Sequence, residues 1–283
     1  LVESEAKKQN TLRGGDEETN IDGANNNSKV EETIYTKGRD RSGNICSSYR
    51  DSLPPFLAAA SDGDLDALQK CIGDNTADDD DSQQPDAKRQ EQVRGLLSLR
   101  DRNGSTAEHW AAGGGHLLCV AYLLKLRDAV YKESIGTSDT APIIERSQTT
   151  QYTNKSIRRR RDGKTSLHYA ARNGHNNIID LLLSRNDAPP VDIRSGDGTT
   201  PLHMACYGGH PSTVMHLVET HNADIFALND WECGASHWAA MSLGQEGSDK
   251  IVELCEYLKK LGVDFTARQK QGHAPLHKAS SRK

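Results

Sequence analysis

Apolar residues along this chain gather in short clusters at helical spacing rather than in strict alternation. Ile178, Ile179, Leu182 and Leu183 stand at i, i+1, i+4 and i+5, which predicts one apolar stripe along a short helix. The same register recurs at Leu117, Leu118, Cys119, Val120, Leu123 and Leu124, at Val214, Leu217 and Val218, and at Ile251, Leu254, Cys255 and Leu258. Burying one such side chain contributes roughly 1.5–3 kcal/mol. No single helix can supply its own cover, so the stripes are expected to stack on one another.

Ahead of each stripe the pattern predicts a second, smaller helix. In Thr200-Pro201-Leu202-His203-Met204-Ala205-Cys206-Tyr207-Gly208-Gly209-His210, Thr200 is placed to cap a helix that Pro201 begins and a glycine ends. Thr165 is the matching cap before Leu167, His168, Ala170 and Ala171, with Gly174-His175 closing the turn. Small residues such as Ala170 and Ala171 let a neighbouring helix come close. The histidine of this unit recurs as His109, His168, His203, His237 and His277, at intervals of 59, 35, 34 and 40 residues. Two intervals lie near the roughly 33-residue period of helical arrays, and the other two fit that period with inserted loops.

These residues resemble ankyrin repeats, whose pattern is Gly-x-Thr-Pro-Leu-His, a first helix, Gly-His, a second helix and a hairpin turn. The likeness covers residues 54–73 and 101–283; it is closest from Gly163 and Gly198, looser near Gly104 and Gly272, and loosest at Gly234-Ala235-Ser236. It implies an all-α solenoid that binds a protein partner on its concave face, without cofactor, metal or enzyme activity. Within it the leading histidines are expected to bridge to the neighbouring loop. The boundaries that follow are a disordered tail over 1–52 and an array over 53–283. The array divides into a cap at 54–73, an acidic insertion at 74–95, a repeat at 101–126, an insertion at 127–161, repeats at 162–194, 197–228 and 230–265, and a truncated repeat at 269–283. With Leu1 at one end and Lys283 inside a first helix, both ends look cut.

Composition adjusts this picture at the edges. The 283 residues hold 35 basic and 40 acidic side chains, a net charge of -5, and a mean hydropathy of -0.73. Those values agree with a disordered part, for which the polar residues before 53 are the candidate. Asp74 to Gln92 reads as a solvated loop, and 127–161 as an insertion ending in the run Arg158 to Arg161, taken as solvated and alternatively as a nuclear-import signal. Nucleic-acid binding is disfavoured by the net negative charge. No apolar run approaches the roughly 18 residues of a membrane span, and no signal peptide appears. Six cysteines without a CxxC pair predict free, packed thiols, hence an intracellular, reducing compartment, cytoplasm or nucleus.

No phosphate loop, nucleophile elbow or HExxH motif stands in the chain. The histidines, strung along the array, predict no metal site. Candidate contact residues are instead those following the leading histidines, Trp110, Tyr169, Met204 and Trp238, together with the hairpin residues Arg102, Lys164, Trp231 and Gln271. Packing between helices is the competing reading for the first four. At Glu108, where other units carry Leu167 and Leu202, an unpaired carboxylate would be costly, so a cationic or amide partner, or a shifted helix, is expected. The partner's identity is open, and the alternative reading is a regulatory or targeting segment of a larger enzyme such as a kinase or ubiquitin ligase.

Overall fold

The computed structural model describes residues 49, 52–73, 86–134, 161–242 and 248–280, all within the compact unit Ser47–Lys283. Among the described residues every regular element is helical. The elements are α1 (Pro55–Asp62), α2 (Leu65–Ile72), α3 (Asp86–Ser98), α4 (Ala107–Gly114), α5 (Leu117–Ser134), α6 (Ser166–Arg172), α7 (Asn176–Leu183), α8 (Pro201–Gly208), α9 (Pro211–Glu219), α10 (Ala235–Ala240), α11 (Ser248–Lys260) and α12 (Pro275–Ser280). The short first helices α1, α4, α6, α8, α10 and α12 pack one on the next. Each of the second helices α2, α5, α7, α9 and α11 packs back on its own first helix.

Side-chain size explains the close first-helix row. Ala60, Ala111, Ala112, Ala170, Ala171 and Ala205 are fully buried there, where a larger side chain would hold the helices apart. The second helices bury Leu68, Val120, Leu123, Leu124, Ile178, Ile179, Leu182, Val214, Leu217, Leu254 and Leu258 in the same continuous core. Leu118 departs from its expected place in the stripe and is 70% exposed. It points away because Cys119 and Val120 already occupy the inward positions of that turn.

The leading histidines tie each unit to the next. His109, His168, His203 and His237 place Nε2 against the carbonyl oxygens of Lys164, Thr199, Ala227 and His273, at 3.1, 3.0, 2.9 and 3.3 Å. A carbonyl accepts only, so Nε2 carries the proton and donates. In the first three, Nδ1 then accepts the amide of the threonine that precedes the helix, Thr106, Thr165 or Thr200, at 3.2, 3.1 and 3.1 Å. The glycines that end the first helices have a second duty. Gly115 and Gly174 adopt φ of 85° and 79°, and a Cβ on either would strike the ring of His175 or His210 from the following unit.

Two expected loops are partly helical. Helix α3 begins within the stretch read as a solvated acidic loop and runs past its end, burying Val93 and packing Leu96 and Leu97 on the core; residues 74–85 lie outside the described ones. Positions 93, 96 and 97 make a stripe at i, i+3 and i+4 that polar neighbours disguise. Likewise α5 runs through to Ser134, beyond the point where an insertion was expected, and buries Val130. Residues 135–160, with Arg158 to Arg160, lie outside the described residues. So does the expected disordered tail up to 48, but Tyr49, inside the stretch read as tail, is buried. Its hydroxyl donates to Asp101 at 2.9 Å, and its ring carries the Arg102 guanidinium 4.1 Å from the centroid.

Glu108 has found its cationic partner. Its carboxylate accepts from Arg127 at 3.1 Å and from the Ser166 hydroxyl at 2.5 Å. Arg127 also reaches Asp187 at 3.2 Å, and Arg185 joins Asp187 to Asp128 at 2.8 and 2.6 Å. The extension of α5 supplies both Arg127 and Asp128. Charge inside the stack is thereby compensated rather than avoided.

Candidate functional site

The turns that lead into the first helices form a row of hairpin tips. Four are closed by a backbone hydrogen bond, Asp101 N to Ser105 O at 2.9 Å, Ser195 N to Thr199 O at 2.9 Å, Asn229 N to Cys233 O at 3.1 Å and Gln269 N to His273 O at 3.1 Å. The residue at the start of several turns accepts inner amides with its side chain. Asp101 takes those of Asn103 and Ser105 at 2.8 and 2.7 Å, and Asn229 those of Trp231 and Cys233 at 3.0 and 2.9 Å. Successive tips are joined as well, through Gly196 N to Asp162 O at 2.7 Å, Asp230 N to Asp197 O at 3.0 Å and Lys270 N to Trp231 O at 3.1 Å. From Asp162 to Lys270 the tips are thus fixed to one another through the backbone, leaving exposed side chains free to differ.

The proposed contact residues divide by burial. Met204, Trp238 and Tyr169 are 2, 7 and 9% exposed, and packing between helices claims them. Trp238 stacks on His203 at 5.9 Å and meets Tyr207 edge-on at 5.8 Å, while Tyr169 meets His109 edge-on at 5.6 Å. Trp110 is half-buried with Tyr49 beside it at 5.9 Å. Lys164, expected at a solvent-facing tip, is buried with its ammonium 3.4 Å from Asp162. Its charge has a role inside the turns. Burial pushes the Asp197 carboxyl upward, but the Lys164 charge and donation from Ser195 and Thr199 outweigh that and hold it below its ordinary range.

Arg102, Trp231 and Gln271 remain as exposed tip residues. Trp231 stands in the most unusual turn. At the position where the other turns place Gly104, Gly163, Gly198 and Gly272 in the left-handed region, this one holds Glu232 at φ 60°. Phe226 and Leu228, in the loop leading to the same tip, are 61 and 49% exposed. Sequence reading missed these two, since an apolar pair between helices carries no periodicity. Arg194 closes the edge of the patch, reaching Asp230 at 2.9 Å and the Leu228 carbonyl at 3.0 Å.

Away from this row, Asp180, His216 and His221 bring ligand atoms within 4.8 Å of one another. This cluster too has no local sequence signature, because its members are spread over two units. No helix among the described residues is long and apolar enough to cross a membrane. A family model described as ankyrin repeats matches in three overlapping copies, over residues 24–192, 141–229 and 167–268. Members of that family serve in general as protein–protein interaction modules and are typically not catalytic. With stacked helix pairs, histidine bridges between units, and a match over more than half of its length, the chain belongs to the ankyrin-repeat family.

Proposed function

We propose that this chain is a protein-recognition scaffold or adaptor whose contact surface is the row of hairpin tips with the adjoining concave face, centred on Trp231. The observation that carries this reading is the Trp231 turn: an exposed indole beside exposed Phe226 and Leu228, on backbone that holds Glu232 in a left-handed conformation. Aromatic side chains dominate binding hot spots, and non-glycine strain of this kind tends to collect at functional positions. Arg102, Gln271 and the half-buried edge of Trp110 extend the surface along the row; Tyr169, Met204, Trp238 and Lys164 support it from beneath. Buried thiols at Cys119, Cys206 and Cys233, none in a disulfide, favour a reducing compartment, cytoplasm or nucleus.

Affinity capture from cell extract with the full chain, set beside Trp231→Ala and Phe226→Ser, tests the surface. The expected result is a set of captured proteins retained by the wild type and lost by both variants, with unchanged circular dichroism. Equal capture by all three would move the contact surface elsewhere.

A further inference from the structure

The second helices gather three side chains that stacking does not require. Asp180 lies on α7, His216 on α9 and His221 in the turn beyond α9. His216 Nε2 is 2.7 Å and His221 Nε2 2.8 Å from the same oxygen, Oδ1 of Asp180. The two imidazoles meet edge to face with centroids 5.0 Å apart and an interplanar angle of 84°. Side-chain exposures of 51% for Asp180, 21% for His216 and 18% for His221 leave the group reachable while its nitrogens stay partly shielded.

We propose that Asp180, His216 and His221 form a binding site for a divalent transition-metal ion of the zinc class. Two imidazole nitrogens and one carboxylate oxygen are a donor set that favours zinc over magnesium or calcium, which prefer oxygen alone. Bonds of about 2.0–2.2 Å in a tetrahedron put ligand atoms roughly 3.3–3.5 Å apart. The observed nitrogen-to-oxygen separations must therefore open by roughly 0.5–0.8 Å, a rotation open to side chains that are partly exposed and stand on separate elements. Water completes the fourth position.

Loading requires each ring to present its Nε2 lone pair, with the proton on Nδ1. For His216 an acceptor waits there, since Thr220 Oγ1 lies 3.3 Å from Nδ1; such an outer hydrogen bond fixes a ligating ring. The turn is set by Asn222 at φ 56°, a conformation asparagine tolerates, and by Ala223 N donating to Leu217 O at 3.0 Å. A bound ion would clamp α7 to α9 and stiffen two adjacent units.

Calorimetric titration of the full chelator-treated chain with zinc chloride, paired with thermal melting, tests the site. One zinc ion per chain is expected, with a rise in Tm, and binding at least about tenfold weaker in Asp180→Asn or His221→Gln. His221 lies outside the helix, so its replacement leaves α9 able to form; far-UV circular dichroism without metal checks both variants. Wild-type protein that takes up no zinc would overturn the proposal. So would equal uptake by the wild type and by the triple variant Asp180→Asn, His216→Gln, His221→Gln.

Discussion

His203 shows how much one buried ring is asked to do. It joins its own threonine to the next unit's Ala227 carbonyl, and burial pushes its imidazole down to about 4 against the pull of that carbonyl. An unfolded chain takes up the proton first, near the ordinary value of about 6.5. The stability that His203 contributes is therefore present in full above that pH and is lost as pH falls toward 4. Urea unfolding at pH 7 and pH 4.5 should show the wild type losing roughly 2–3 kcal/mol more than His203→Gln. Parallel losses would mean that the ring titrates normally. The role of this histidine in the array was legible from Thr200-Pro201-Leu202-His203 and from the recurrence of a histidine at the same place in the other units; its depressed basicity was not, because that depends on burial by residues of the next unit.

At the scale of elements, the hairpin turns are the informative part. Glycine fits the left-handed position of four of them, and Glu232 occupies the fifth against the roughly 1–2 kcal/mol that such a conformation costs an L residue. Glu232→Gly should accordingly raise stability by about 0.5–1 kcal/mol after the greater chain entropy of glycine is deducted, visible as a higher Tm. An unchanged or lower Tm would show that the glutamate side chain makes an offsetting interaction. Helix α3 and the far half of α5 teach the opposite lesson. Their apolar positions are sparse and their surroundings charged, so they become helices through contact with neighbours that a local reading does not supply. For Lys164 the tip position suggested exposure, yet Asp162 and Asp197 draw the ammonium inward.

Over the whole stack, each unit is stabilised by those on either side, as the continuous core from Phe56 to Leu258 requires. Leu217 is fully buried in α9, and Leu217→Ala should cost about 2–5 kcal/mol. Hydrogen exchange should show lost protection in α8 and α11 as well as in α9, because a stack distributes the damage. Loss confined to α9 would argue for independent units. The chain alone determined the repeating helix pair, its caps and its stripes, since these follow from local periodicity and from glycine, proline and threonine chemistry. Only the tertiary structure decided which large residues at the repeated positions are sealed in and which stand at the surface, and that Asp180, His216 and His221 meet. Those outcomes depend on distances between units that are remote in sequence, which no local pattern encodes.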